Sequence, residues 1–245
     1  GGSSILWLQQ HVVLHHVFTN DTIDDPDINA APLLRLHPQN PFKSWYKLQH
    51  IYMLPLEFLY GMVPIFLHAV DLAKSQFAGT QICPLAAPYV RTSQVLKAAF
   101  LVRFVVLPLY LEPSLQTAGL LFLTTAAGGL YLSFFFALSH NYEGVEFVAK
   151  DIPALADKGF VERQCRTSSN VCGPVLAFFN GGLNYQIEHH LFPRVHHSHY
   201  STIAPVVRRF CEERKIRYTH FPTISENLSS MIRHLQHMGT PKKHA

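Results

Sequence analysis

Charged side chains are scarce in this sequence. Only 15% of its 245 residues are Asp, Glu, Lys or Arg, and 48% are hydrophobic, whereas about a quarter of the residues of a soluble domain are charged. This composition excludes an intrinsically disordered chain and is typical of a membrane protein. The net charge of +4 is too small to indicate nucleic-acid binding, so we expect no nucleic-acid partner.

Paired cysteines and a signal peptide are also missing. The four cysteines form no CxxC pair, which excludes a zinc ribbon, and we expect unpaired thiols in a reducing compartment. The first residues contain no basic segment followed by an apolar run, as a signal peptide would. The sequence begins without methionine, which we interpret as the start of a fragment of a longer protein.

Long apolar segments predict a transmembrane helical hairpin. Residues 116–139 contain no charged side chain and exceed the ~20 residues that a spanning helix needs. Residues 95–111 contain only Lys97, which we expect at the membrane interface, and Arg103, which we expect to face protein or to snorkel. A third apolar segment, 51–70, holds two prolines and a glutamate, which favour an interfacial helix over a straight span.

The predicted fold class is therefore an all-α integral membrane protein. The hairpin carries a helical cap, and the whole chain, 1–245, forms one domain. The carboxyl-terminal part is rich in basic residues, which by the positive-inside rule places it in the cytosol.

Histidine is as abundant as the two acidic residues combined, with 16 residues of each kind. Neutral imidazole is the commonest metal ligand in proteins. The histidines gather at short, regular spacing in three places, and two of these contain an adjacent pair. More imidazoles are present than one zinc ion needs, so the pattern indicates a two-metal site. The clustered residues are His11, His15 and His16, then His140, and then Gln186, His189 and His190.

Topology gives an independent test of that site. The three clusters can meet only if they lie on one side of the membrane, so the chain between His16 and His140 must cross it an even number of times. The hairpin supplies two crossings, and segment 51–70 must then not cross.

The residues around these clusters resemble the histidine boxes of membrane fatty acid desaturases. The segments are QHVVLHH (10–16), SHNYE (139–143) and GLNYQIEHHLFP (182–193), with DPDI (25–28) and APVV (204–207) after the boxes. The third segment is highly specific. More narrowly, it is similar to that of the front-end desaturases of polyunsaturated fatty acids, of the Δ5 or Δ6 type.

The resemblance implies an oxidoreductase with a di-iron centre that faces the cytosol at the endoplasmic reticulum membrane. Such an enzyme uses dioxygen to insert a cis double bond into a polyunsaturated fatty acyl chain, on the carboxyl side of an existing double bond, and its partners include the fatty acyl substrate and membrane lipid. Electrons come from cytochrome b5, fused or separate, and its reductase. No catalytic side chain is implied beyond the metal centre, whose ligands would be His11, His15, His16, His140, His189 and His190.

Other residues near the boxes receive secondary roles. Gln186 stands where a further ligand would stand, so we expect it to bind metal weakly or to orient its neighbours. Glu188 is a candidate hydrogen-bond partner of a ligand ring. We expect Tyr142, Asn184 and Tyr185 to shape the substrate tunnel. We interpret His196, His197 and His199 as loop or helix-cap residues, with donor docking as the alternative.

Two departures from the family pattern matter. No HxxxH box precedes His11, and the His-Pro-Gly-Gly motif of a fused cytochrome is absent. We therefore expect a fragment that is inactive alone. Three alternatives stay open: a sphingoid-base desaturase, a related hydroxylase, and a non-catalytic zinc-binding or degenerate membrane protein. The boxes also leave open the position of the double bond, the acyl chain length, the acyl carrier and the oligomeric state.

Overall fold

The computed structural model describes residues 2–77, 80–149, 155 and 157–241. It is mainly helical, and the described strands form two sheets of two strands each. The all-α fold class is confirmed. The chain divides into two compact units. The first comprises Gly1–Val17 and Met53–Phe134, and the second comprises Phe18–Tyr52 and Phe135–Ala245.

Helices make up most of the first unit, and helix α6 continues from it into the second. A short antiparallel sheet pairs Gln76–Phe77 (β1) with Thr80–Gln81 (β2). The helices, in chain order, are α1 (Ser4–Trp7), a π-helix (Leu8–His15), α2 (Gln49–Tyr60), α3 (Met62–Ala73), a 3₁₀ turn (Ala87–Tyr89), α4 (Val90–Leu101), a second π-helix (Val102–Val106), α5 (Leu107–Leu111) and α6 (Leu115–His140).

Two helical segments of the described chain are long and apolar enough to cross a membrane. They are Ala87–Leu111 and Leu115–His140, which agree with the predicted hairpin, although the first begins at Ala87 and not at residue 95. Large apolar side chains such as Leu111 and Leu115 are exposed along both. Exposed apolar surface on helices of this length is covered by lipid in a membrane protein.

The third apolar segment is a bent pair of helices and not a straight span. The helical segments Ser44–Tyr60 and Met62–Ala73 meet at an angle of 61°, which suits a broken span or a re-entrant loop. If this bent pair crosses the membrane, the described chain has three spans and not two. The bend occurs at Gly61. The segment thus extends beyond the predicted 51–70, and its membrane depth stays a prediction.

The bend is packed tightly against helix α6 within the first unit. A Cβ atom built on Gly61 would lie 2.1 Å from the carbonyl oxygen of Thr125, and one built on Gly129 would lie 2.2 Å from the backbone nitrogen of Gly61. The two backbones therefore touch, and only glycine at both positions permits this approach.

Lys97 is buried inside the first unit, and its expected position at the membrane interface stays a prediction. Its ammonium group donates a hydrogen bond to the carbonyl oxygen of Pro64 on α3. Helix α4 has two charged residues, Arg91 and Lys97. Because the Pro64 carbonyl gives the Lys97 ammonium group a polar partner, the lysine can be buried there.

The second unit carries the rest of the helices around a short parallel sheet. Strand β3 (Ser169–Val171) pairs with β4 (Thr219–Phe221) in the register Asn170 opposite His220. Cys165 and Cys211 are buried free thiols in the core, with their Sγ atoms 3.7 Å apart. The helices are a 3₁₀ turn (Ser44–Leu48), α7 (Phe160–Thr167), α8 (Pro174–Asn180), α9 (Gln186–Leu191), a second 3₁₀ turn (His197–His199), α10 (Tyr200–Arg214) and α11 (Ile224–Met238).

The Gly61–Gly129 contact predicts a sharp difference between two neighbouring glycines of α6. Gly129→Ala forces the backbones apart and should lower the free energy of unfolding by about 2 kcal/mol or more. Gly128→Ala is the matched control, because a Cβ there meets no atom within 4 Å. Thermal unfolding of the full-length protein in detergent measures both, and equal stability of the two variants would contradict the packing argument.

Candidate metal centre

The histidine cluster of the first unit lies on a π-helix, which is a wider turn than the common α-helix. The backbone N–H of His16 donates to the carbonyl oxygen of His11, five residues earlier. An α-helix would place His16 about 140° around the helix axis from His11, whereas the wider turn brings the two onto one face. The sequence analysis missed this, because residue spacing alone does not reveal a π-helix.

The wide turn brings two ring nitrogens together. The Nε2 atoms of His11 and His16 are 3.2 Å apart. Two nitrogens bound to one metal ion at about 2.1 Å each lie about 3.0–3.4 Å apart, so this spacing fits two ligands of a single ion. All three rings are buried, His15 stacks on His11 at 5.4 Å, and Trp7 covers the other face of His11 at 4.3 Å.

The second unit brings His140 and His190 together around the amide of Gln186. The Nε2 atom of Gln186 lies 3.1 Å from Nε2 of His140 and 3.2 Å from Nε2 of His190, and all three side chains are buried. The amide donates to both rings, so the two Nε2 lone pairs point toward one place. Two imidazole lone pairs that converge in a buried pocket are a suitable start for a metal site.

The outer nitrogens of these rings fix which nitrogen carries the proton. Nδ1 of His140 lies 3.1 Å from the carbonyl oxygen of Thr167, which only accepts. Nδ1 of His190 lies 3.1 Å from the hydroxyl of Thr19, which donates its own proton to Gln164 and therefore accepts from the ring. Both rings thus carry their proton on Nδ1 and their lone pair on Nε2, as metal-binding histidines do.

His189 follows the same rule on the other side of helix α9. Its Nδ1 lies 3.3 Å from the hydroxyl of Tyr200, which donates to the carbonyl oxygen of Phe192 and so accepts from the ring. His189 therefore also presents the lone pair of Nε2. Three predicted ligands of the second unit share one protonation pattern, which supports their assignment as ligands.

Thr19 is held in place by a tight turn just after the first cluster. Asn20 has a left-handed backbone, with φ of 55°, and its backbone N–H donates to the carboxylate of Asp25. Its side-chain amide lies within hydrogen-bond distance of three backbone carbonyl oxygens, among them those of His140 and Thr167. The DPDI segment thus orients Thr19 and with it His190. Sequence reasoning noticed this segment but gave Thr19 no role, because its partners are far away along the chain.

Glu188 does not bond a ligand ring as we expected. Its carboxylate accepts from the side-chain amide of Asn170 at 2.7 Å and from the hydroxyl of Tyr218 at 2.9 Å. Asn170 also accepts from the backbone N–H of Ile187 at 3.0 Å. Tyr218 directly precedes strand β4, and its hydroxyl also accepts from the Asn170 amide at 2.7 Å. Residues of both strands' chain segments thus hold the helix that carries His189 and His190.

Burial dominates the electrostatics of this network. It raises the pKa of the Glu188 carboxyl, although the hydrogen bonds from Asn170 and Tyr218 oppose that shift. Burial, together with the neighbouring carboxylate of Glu188, also raises the pKa of the Tyr218 phenol well above its ordinary value. Tyr218 therefore stays protonated and acts as a donor.

The residues predicted to shape a substrate tunnel make structural contacts. The Tyr142 hydroxyl donates to the carbonyl oxygen of Ser168, and the Asn184 amide donates to that of Val171. Tyr185 is buried in a cluster with Tyr200 and Ala204. All three side chains stabilise the second unit, and a role in binding substrate stays a prediction.

The Asn170 contacts predict a cost for removing this side chain. Asn170→Ala leaves the buried Glu188 carboxylate with one donor fewer, and the free energy of unfolding of the full-length protein should fall by about 2 kcal/mol. Asn180→Ala is the control, since Asn180 is also buried but its side chain makes no hydrogen bond within the described residues. Chemical denaturation measures both, and a loss no larger at position 170 than at position 180 would show that the network does not anchor helix α9.

Comparisons with known proteins agree with this chemistry. Residues 1–222 match the family model for fatty acid desaturases. The chain is 48% identical to the acyl-lipid (7-3)-desaturase of Diacronema lutheri over 98% of its own length and 54% of the relative. It is 31% identical to the probable Delta(5) fatty acid desaturase C of Dictyostelium discoideum, with coverage of 98% and 54%.

A bacterial relative is covered more completely. The sn-1 linoleoyl-lipid 6-desaturase of Synechocystis sp. is 30% identical to the chain, which covers 68% of it. The chain spans about half the length of the first two relatives. No solved structure matches the chain. From the family match, the relatives and the histidine geometry together, we conclude that this chain belongs to the fatty acid desaturase family.

Proposed function

We propose that the full-length protein is an oxygen-dependent, di-iron, front-end acyl-lipid desaturase. It inserts a cis double bond into a polyunsaturated acyl chain, between an existing double bond and the carboxyl end. The observation that carries the proposal is the shared protonation pattern of His140, His189 and His190, which presents Nε2 lone pairs from two buried rings and one half-buried ring. Relatives named for desaturation at carbon 5 or 6 support the front-end position.

The ligands that we propose are six histidines of the boxes. They would hold two irons, which would supply the activation of dioxygen and the oxidation of two methylene groups, and they are His11, His15, His16, His140, His189 and His190. Neutral imidazoles leave the positive charge of the ions largely uncancelled. The Gln186 amide lies where the Nε2 lone pairs of His140 and His190 converge, so it would give up these two hydrogen bonds when both rings bind iron.

The chain's own residues prepare the site in three ways. Carbonyl and hydroxyl acceptors, from Thr167 and Thr19, hold the rings in the binding tautomer. The Asn170–Glu188–Tyr218 network fixes the third box in position. Five of the six rings are buried, which limits the access of water to the oxidising centre. We further propose that cytochrome b5 and its reductase supply electrons and that the site faces the cytosol at the endoplasmic reticulum membrane.

Substrate feeding tests the reaction directly. The full-length reading frame is expressed in a yeast that lacks polyunsaturated fatty acids and is fed 18- and 20-carbon polyenoic acids, and mass spectrometry locates new double bonds. We expect a new bond on the carboxyl side of the existing ones. His190→Ala should abolish the product because it removes a ligand, whereas His237→Ala, an exposed histidine outside the boxes, should not.

Each other result has a clear meaning. An oxygenated product would identify a hydroxylase, and a product in sphingoid bases alone would identify a sphingolipid desaturase. Full activity of His190→Ala would contradict the ligand assignment.

Metal content tests the site without any turnover. We expect roughly two irons per chain in the purified full-length protein, and zinc alone would instead favour a non-catalytic protein. Thr19→Val removes the acceptor that holds the proton on Nδ1 of His190, so iron affinity should fall by about 10- to 100-fold. Thr202→Val, at an exposed position on α10, is the control. Equal iron affinity in these two variants would contradict the tautomer argument.

A further inference from the structure

A cavity of about 390 Å³ lies beside the third histidine box within the second unit. Its wall includes one face of His189 and the ring of Tyr200, which bonds that histidine. The other wall is formed by the segment that follows the box, with Arg194, His196 and His197. The cavity therefore connects directly to a proposed iron ligand.

The side chains that line the cavity favour an anion. Arg194 is permanently charged, and no carboxylate is among the lining residues. Nδ1 of His196 accepts from the backbone N–H of Ser198, so its ring proton is on Nε2 and is available as a donor. His197 stacks on this ring at 4.2 Å. A guanidinium group and imidazole N–H donors around one cavity are the groups that bind phosphate.

A strongly apolar helix adjoins the same cavity. On α8, the side chains of Val175, Phe178 and Phe179 are 74%, 84% and 71% exposed. Three large apolar side chains this exposed on a seven-residue helix are costly in water, and they match an element that lies in the membrane interface.

Two glycines fix this helix to the cavity. Helix α8 ends at Gly181, and both Gly181 and Gly182 have left-handed backbones and line the cavity. A Cβ atom on Gly182 would lie 2.7 Å from Cβ of His197. The apolar helix and the cavity thus adjoin each other, with apolar side chains on the helix and Arg194, His196 and His197 at the cavity.

We propose that this surface binds a membrane glycerophospholipid, with α8 among the acyl chains and the phosphate group in the cavity at Arg194. The inference rests on the proposed function, in which the acyl chain is carried by a lipid, and adds the residues that would hold the phosphate group of that lipid. Front-end desaturation places the reacting carbons near the carboxyl end of the acyl chain, so the carrier must be held close to the metal. A phosphate site that shares a wall with His189 satisfies this requirement.

Binding of lipid probes tests the phosphate site. The full-length protein in maltoside micelles is titrated with fluorescent lysophosphatidylcholine and with a monoacylglycerol that carries the same labelled chain. We expect Arg194→Gln to weaken binding of the phospholipid by about tenfold and to leave binding of the monoacylglycerol unchanged. Arg208→Gln removes the same charge from an exposed residue that pairs with Glu212, outside the cavity, and should change neither.

Competition identifies the source of the phosphate. If coenzyme A displaces the lysophospholipid probe at a lower concentration than unlabelled lysophosphatidylcholine does, and does so only when Arg194 is present, the membrane-lipid assignment is wrong. If Arg194→Gln weakens the binding of both probes equally, or of neither, the proposed phosphate site is wrong. The assay needs no turnover, so a protein that binds the phospholipid through Arg194 but desaturates nothing disproves only the proposed function.

Depth measurements test the apolar helix. A nitroxide attached at Phe178→Cys of the full-length protein in phosphatidylcholine vesicles should be accessible to dissolved oxygen and protected from an aqueous nickel complex. A label at Ser229→Cys, an exposed position on α11, should behave in the opposite way. A water-accessible label at position 178 would show that α8 does not enter the membrane.

Discussion

The arrangement of the candidate site depends on the hydrogen bonds that the outer ring nitrogens donate. An imidazole can bind a metal through Nε2 only when its proton is on Nδ1, and a carbonyl or a hydroxyl that is already donating elsewhere enforces that choice. Thr167, Thr19 and Tyr200 provide these acceptors for His140, His190 and His189. Much of the second unit serves to place these three acceptors: the turn at Asn20 orients Thr19, the end of α7 supplies the Thr167 carbonyl, and α10 supplies Tyr200. The proposed ligands lie in short sequence segments, but the residues that orient them come from many parts of the second unit.

The sequence was sufficient for features that depend on local composition. Long apolar runs predicted the two long helices of the hairpin. Exposure of so many apolar side chains to water is unfavourable, so such helices lie in lipid. The histidine spacing and the segment that contains Gln186 identified the residues that the second unit gathers. Both inferences need only neighbours in the chain, which explains their success.

The features that sequence reasoning missed are set by distant contacts. Lys97 is buried because a backbone carbonyl on another helix accepts from it, and no pattern within α4 indicates that partner. Glu188 pairs with Asn170 and Tyr218, which come from positions far apart in the chain. Nothing in the neighbouring sequence distinguishes Thr19, because its partners Gln164 and His190 are far away along the chain. Gly61 and Gly129 are likewise unremarkable in sequence, although their backbones touch.

The π-helix at the first histidine cluster has an energetic consequence. A π turn is rare because its hydrogen-bond geometry is usually inferior to that of an α-helix, and in an α-helix His11 and His16 would lie on different faces. An ion bound to both Nε2 atoms, as we propose, would therefore stabilise the wide turn relative to an α-helical form of the same segment. Under this ligand assignment, part of the binding free energy of the metal would offset the cost of the π-helix.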